Sequence, residues 1–312
     1  MAKYVITGGA GFIGSNLAER LLGYGHDVVI VDNLSTGRRE NLDGLQGNLD
    51  LQVGEIQNLP FLTRSFQGTE VVFHQAALPS VPRSVKNPAA TNNANVDGTL
   101  NVLLAARDCG VRRVVLASSS SVYGDTRTLP KVEDMPPNPL SPYAVTKYVG
   151  ELYAGVFHRT YGLETVCLRY FNVFGPRQNP LSEYAAVIPA FITRILEGKS
   201  PVVFGDGEQT RDFTYIENVV EANLLAGDAP LAPGKVFNIG CGSRYSLNHL
   251  IACINRTLET DVRPVYQDTR PGDVRDSMAS IDKALSILGY EPKVSFDEGL
   301  RRTIDWFKRE RS

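Results

Sequence analysis

The stretch ITGGAGFIGSNLAERL, residues 6–21, decides how this chain is to be read. A β-branched run ends at Thr7, glycines follow at three-residue spacing as Gly8, Gly11 and Gly14, and an apolar-periodic helix begins at once. Each glycine has its own reason to be there. Gly8 permits a tight strand-to-helix turn, Gly11 lets a pyrophosphate approach the backbone, and Gly14 lets the helix lie close to the strand. The first amides of the helix then face the phosphates, so the stretch predicts a dinucleotide site at the end of the first strand of a parallel sheet.

Outward from this turn, YVIT, DVVIV, LQVG, EVVFH, RRVVLAS and ETVCLRY follow one another with helical stretches between them. Most are continuous and β-branched, the pattern of strands buried on both faces of a parallel sheet. NLAERLLGYG and DGTLNVLLAARDCG fit right-handed crossovers between such strands. The expected fold is α/β, a doubly wound parallel sheet of Rossmann type over residues 1–172. After RYFNVFGPRQNP the chain grows richer in proline, glycine and aromatics, and residues 173–312 are expected to form a smaller substrate domain. KVFNIG, residues 235–240, reads as a further strand, so that about 213–240 can return to the first domain. No internal repeat or low-complexity linker interrupts the chain.

Bulk properties narrow the partners. With 312 residues, 43% hydrophobic and a formal net charge of −2, the chain suits one large or two unequal globular domains. Basic residues are scattered, not striped, which gives no footprint for nucleic acid or an acidic membrane surface and leaves small molecules as the expected partners. Cys109, Cys167, Cys241 and Cys253 lie far apart with no C-x-x-C spacing, so they read as buried free thiols and not as metal ligands. No apolar run reaches membrane-spanning length, and KYVIT starts without a basic and apolar leader, so a cytosolic, reducing setting is expected.

The second strand, DVVIV, leads to Asp32, near the offset at which an acidic side chain takes an adenosine ribose 2′-hydroxyl. A carboxylate there repels a 2′-phosphate, which favours NAD over NADP, although Arg38 and Arg39 stand close by. A turn-capping aspartate is the plainer reading of the same residue.

SPYAVTKYVGE, residues 141–151, carries Tyr143 and Lys147 four positions apart, on one face of a helix. An ammonium in that place can stabilise a phenolate, with a nearby nicotinamide cation adding to it. Taken alone, the pair is as consistent with an ordinary polar face. It gains weight from VVLASSSSVYG, which puts hydroxyls at the end of the fifth strand, where open parallel sheets hold their ligands.

With TGGAGFIG, HQAAL, NVDGTLNVL, SSSSVYGD, SPYAVTK, LRYFNVFGPRQ, GDGEQTRDFTYI and RPGDVR all present in order, the chain resembles the extended short-chain dehydrogenase/reductases over nearly its whole length. Within them it is similar to the nucleotide-sugar epimerases related to UDP-galactose 4-epimerase. SVPRSV, PLSPYAVTKYVGELYA and EYAAVIP look most like the branch that epimerises UDP-N-acetylglucosamine.

The resemblance implies Tyr143 as general acid/base, Lys147 as its electrostatic partner and ribose ligand, and Ser119 as a proton-sharing hydroxyl. It implies NAD held by Gly8, Gly11, Phe12 and Ile13 at the pyrophosphate, by Asp32, Asn33, Ser35 and Gly37 at the adenosine ribose, and by Glu55 and Ile56 at adenine. Glu55 departs from the aspartate usual in the family. Ala76, Ala77, Asn95 and Tyr170 match further cofactor-facing positions, and Asn172, Ala186, Val187, Arg211, Arg270 and Asp273 match the nucleotide half of a UDP-sugar. Two arginines suit a diphosphate because a guanidinium fork engages two oxygens at once.

The implied reaction is oxidation of a UDP-hexose at C4, rotation of the 4-keto sugar and return of the hydride to its other face. Sugar 4,6-dehydratases and UDP-glucuronate decarboxylases, which resemble this chain, carry acidic residues where it has Ser120 and Ser121, which argues against both. Ser277 falls where the family has a residue flanking the hexose, small in members that accept N-acetyl groups, and Ser80 and Ser120 are placed to bond an amide or ring hydroxyls. UDP-N-acetylglucosamine and its galacto epimer are therefore the expected substrates, with the plain hexoses beside them. A UDP-glucuronate 4-epimerase and a non-catalytic NAD-binding regulator stay open as alternatives. The resemblance also implies a homodimer formed through a four-helix bundle.

Overall fold

The computed structural model describes residues 2–180, 186–269 and 274–311. Six strands, β1 (Lys3–Thr7), β2 (Asp27–Asp32), β3 (Leu49–Val53), β4 (Val71–His74), β5 (Arg113–Ser119) and β6 (Glu164–Tyr170), are joined by Lys235–Ile239 in one parallel sheet. The spatial order is Lys235–Ile239, β6, β5, β4, β1, β2, β3. Order reverses between β1 and β4, and the crevice beyond the carboxyl ends of those two strands is where such sheets take their ligands. This is the doubly wound α/β sheet expected from the β-branched runs. β1, β2, β4 and β5 are buried on both faces over most of their length, whereas edge strand β3 is only half-covered.

One helix positions the chemistry. Pro142–Tyr161 follows a proline-rich stretch, and proline at its first position costs no hydrogen bond, because that amide has no partner in a helix. Ser141 Oγ accepts from Ala144 N at 3.2 Å, capping the start, and Gly162 in the left-handed region ends the helix. Ala144, Thr146, Gly150, Glu151, Ala154 and Phe157 turn into the protein. Val145, Leu152 and Val156, in contrast, form an exposed apolar stripe.

Beyond β6, helices Val187–Leu196, Leu247–Leu258 and Phe296–Arg309 pack with three short strand pairs. Phe174, Phe213 and Tyr245 gather around Phe296, with the Tyr245 and Phe296 rings stacked at 4.2 Å. The core here is continuous with that on one face of the sheet, running from Ile6 and Phe73 to Ile192 and Phe307. Among the described residues no helix is long and apolar enough to cross a membrane.

Candidate active site

The glycine turn is as tight as its spacing demands. Gly8 sits at φ +70, and a Cβ on it would stand 2.6 Å from Ala76 N. A Cβ on Gly14 would stand 2.4 Å from Gly8 O, so the helix can pack against the turn only without one. Helix Phe12–Gly23 starts with no side-chain cap at Gly11. Its leading amides thus keep the arrangement that suits an anionic group, and Gly11, Phe12 and Ile13 line that end.

At the end of β2, Asp32 caps the turns on either side of it. It is 7% exposed, and its oxygens accept from Ala10 N at 3.0 Å and Leu34 N at 2.8 Å, tying the glycine turn to the next loop. Burial raises its pKa, against the lowering effect of those amides. Gly37 packs against the carboxylate, where a Cβ would meet Oδ2 at 2.7 Å. Asn33 Oδ1 accepts from Ser35 N at 3.0 Å. Arg38 pairs with Glu40 at 3.5 Å. Glu55 is exposed, whereas Ile56 is buried in the core on the sheet's other face. These residues fit the adenosine half of a dinucleotide.

A buried hydrogen-bond chain that the sequence did not reveal holds the other wall. Ala76 N donates to Thr7 Oγ1 at 3.4 Å, and Thr7 Oγ1 lies 2.7 Å from His74 Nδ1. On the far side of the ring, His74 Nε2 lies 2.8 Å from Thr99 Oγ1, whose proton goes to Asn95 O at 2.6 Å. Thr99 has one proton and has given it away, so it must accept from Nε2–H; Nδ1 then accepts from Thr7. Burial and the neighbouring Lys147 depress the His74 pKa to about 3, which keeps this neutral tautomer. Asn95 stands in a π-helical turn, Asn93–Asp97, and its side chain bonds Leu78 N, Leu78 O and Thr146 Oγ1. It thereby fixes the segment carrying Ala76 and Ala77. The Tyr170 hydroxyl is buried on Asn223 Oδ1 at 2.9 Å and close to Gln75, so its phenol is occupied within the fold.

The three residues expected to react do converge. β5 ends at Ser119, whose side chain lies close enough to the Tyr143 phenol to lower its pKa against burial. Lys147 Nζ stands 5.9 Å from the Tyr143 ring centroid and donates to Ala117 O at 2.8 Å. Burial, not Lys147, is the leading influence on Tyr143 and raises its pKa; Ser119 works the other way. Burial also pulls Lys147 down to about 8. Ser119 Oγ is held by Ser121, through N at 3.2 Å and Oγ at 2.9 Å, and Ser120 is half-buried beside it.

Beyond β6, Asn172 Nδ2 donates to Ser277 Oγ at 3.3 Å. Ser80 has φ +98, a region L residues rarely adopt, and caps the helix Val81–Lys86 through Arg83 N at 3.3 Å. Ala186 is the exposed N-cap ahead of Val187, at the head of Val187–Leu196, with no side-chain cap. Arg211 Nη1 is anchored on Thr210 O and Arg275 O, both at 2.9 Å. Next to it Asp212, unforeseen in the sequence, accepts from Cys241 N, Gly242 N and Ala279 N at 2.8 to 3.1 Å. Burial pushes Asp212 up to about 6. Arg270 and Asp273 lie outside the described residues. No cluster of metal-ligating side chains occurs among the described residues.

Comparison with known proteins identifies the family. Residues 4–240 match the NAD dependent epimerase/dehydratase family. UDP-glucose 4-epimerase of Mycolicibacterium smegmatis is 40% identical over 311 residues, 98% of each chain, and UDP-glucuronate 4-epimerase of Thermodesulfobacterium geofontis is 37% identical over 319, 99% of this chain and 97% of that one. The solved structure of UDP-N-acetylglucosamine 4-epimerase from Methanobrevibacter ruminantium, in complex with UDP-N-acetylmuramic acid, superposes with a TM-score of 0.95 at 41% identity over 99% of both chains. A glycine cradle that fits a dinucleotide, a Ser–Tyr–Lys centre beside it and end-to-end similarity of this degree have one reading: the chain belongs to the NAD dependent epimerase/dehydratase family, a family of enzymes.

Proposed function

We propose that the chain is a UDP-hexose 4-epimerase that interconverts UDP-N-acetylglucosamine and UDP-N-acetylgalactosamine and also accepts UDP-glucose and UDP-galactose. The observation that carries this reading is the convergence of Ser119, Tyr143 and Lys147 at the carboxyl edge of β5, beside the glycine cradle. Bound NAD supplies a reversible hydride acceptor for C4. Tyr143 takes the C4 hydroxyl proton, directly or through Ser119, and returns it once the keto sugar has turned its other face. Lys147, an ammonium below about pH 8, contributes positive charge that favours the Tyr143 phenolate against the cost of burial.

Gripping the nucleotide firmly and the hexose loosely is what allows the sugar to turn. Arg211, the amides at Ala186 and Val187, and Asn172 fit the first task; the small side chains Ser80, Ser120 and Ser277 fit the second. Ser277 supports the acetylated sugars because its short side chain leaves room at the wall shared with Asn172. In this reading residues 1–172 with about 213–240 hold NAD, and the rest of 173–312 holds the nucleotide sugar. We further infer a homodimer in which Pro142–Tyr161 pairs through its exposed Val145, Leu152 and Val156, and a cytosolic setting that suits four free thiols.

The test is incubation of the purified protein, without added NAD, with UDP-N-acetylglucosamine, UDP-glucose and UDP-glucuronate in separate reactions, followed by chromatographic resolution of the C4 epimers. Conversion of the acetylated sugar is expected. Conversion of UDP-glucuronate alone would transfer the assignment to that relative's substrate, and no conversion even with NAD supplied would overturn the epimerase reading.

A further inference from the structure

Helix Pro142–Tyr161 carries a third side chain on the face of Tyr143 and Lys147. Glu151 lies one turn beyond Lys147, and its oxygens are fully engaged: Oε1 accepts from Ser118 Oγ at 2.5 Å and from Arg169 Nε at 2.8 Å, and Oε2 accepts from Arg169 Nη2 at 2.7 Å. Arg169 and Glu151 are about 5% and 4% exposed, so this is a buried, bidentate ion pair. Arg169 is fixed in turn by Glu133 O at 3.2 Å and by the Tyr123 ring at 4.7 Å.

What matters is the place on β5 where the helix takes hold. Lys147 bonds the carbonyl of Ala117, and Glu151 bonds the hydroxyl of Ser118. One helical turn thus grips two consecutive residues, and the next residue is Ser119. Strand alternation sends the Ser118 and Ser119 side chains to opposite faces, so the Ser118 bond holds the strand without crowding the reacting hydroxyl. A buried ion pair is a poor source of stability in itself, because desolvation offsets its attraction. Its value here is geometric.

We propose that Glu151, clamped by Arg169, is a positioning residue that sets the approach of Ser119 to Tyr143 by holding Ser118. The proposal rests on the epimerase reading for its kinetic consequence, and not for its structural one. A hydroxyl displaced by a fraction of an ångström from its proton partner slows turnover while leaving the grip on the nucleotide intact.

Four variants separate this from a loss of packing. Ser118→Ala and the double variant Glu151→Met/Arg169→Met remove the bond without leaving a lone buried charge. Glu151→Gln/Arg169→Met removes the same charges but keeps a hydrogen-bonding partner for Ser118. Thr165→Ala removes a different hydroxyl bond to the same helix, Thr165 Oγ1 to Ala154 O at 2.8 Å, far from the centre. The first two should lose about tenfold in kcat with KM unchanged, and the last two should stay within about twofold of the parent. Equal kcat loss in the Gln and Met double variants, or in Ser118→Ala and Thr165→Ala, would overturn the proposal.

A second readout needs no turnover. The ring 13Cζ resonance of Tyr143, identified by its loss in Tyr143→Phe, should move in Ser118→Ala and stay in place in Thr165→Ala. An unmoved resonance refutes the positioning role even where no UDP-hexose is converted, which keeps failure of the proposal distinct from failure of the epimerase assignment.

Discussion

Asn172 Nδ2 reaches across from the end of β6 to donate to Ser277 Oγ at 3.3 Å, and Ser277 is 7% exposed. Two residues 105 positions apart thus form one wall of the pocket proposed for the hexose. Ser277→Tyr fills that wall. Turnover of the N-acetylated sugars should fall at least tenfold relative to UDP-glucose, which asks about 1.4 kcal/mol of discrimination, within the range of overpacking. Equal retention of both pairs in a competition assay would remove Ser277 from the pocket.

Tyr143→Phe keeps the ring and deletes the proton carrier. The kcat should fall by at least about 100-fold, the scale of lost general acid–base catalysis. NAD released on denaturation should match that of the parent, since the glycine cradle and Lys147 are untouched. A variant with near-normal turnover would assign the proton transfer elsewhere.

Gly14→Ala tests the cradle. Its Cβ would meet Gly8 O at 2.4 Å and Gly9 Cα at 2.6 Å, both backbone atoms that cannot swing aside. The helix must shift away, at a cost of about 1–3 kcal/mol, and its leading amides shift with it. Lower unfolding temperature and reduced NAD content should appear together. Gly25→Ala, in open space at φ +76, supplies a comparison in which backbone strain acts without that clash, and it should retain NAD.

Acid sensitivity should trace partly to His74. Its folded pKa, about 3, lies below the unfolded 6.5, so the unfolded chain takes up the proton first. The stability it contributes is fully present above pH 6.5 and is lost as pH falls toward 3, up to a limit of about 5 kcal/mol. Asp212 acts in the opposite sense: raised from 3.8 to about 6, it is protonated first in the fold, and acidification between those values favours the folded state through it. The difference between the parent and His74→Gln isolates the histidine. Denaturant midpoints for the variant should decline less steeply from pH 6.5 downward, and parallel curves would exclude His74 as the titrating group.

The sequence by itself determined the parallel sheet and its ligand-bearing edge. Buried β-branched runs, the strand–glycine–helix turn and Asp32 are local patterns whose physics is complete within some thirty residues, and the structure repeats them. Tyr143 and Lys147 were legible for the same reason, since a four-residue helical spacing fixes a shared face. Only tertiary structure decided what surrounds them. The Thr7–His74–Thr99 chain, the carboxylate of Asp212 among three distant amides, and the Glu151–Arg169 clamp on Ser118 each join residues that spacing does not relate. Likewise, the separation of Ala144 from the exposed Val145 and Leu152 depends on which faces of the helix the sheet covers. Buried polar groups must find partners wherever the fold brings them, and that demand is met across the chain and not along it.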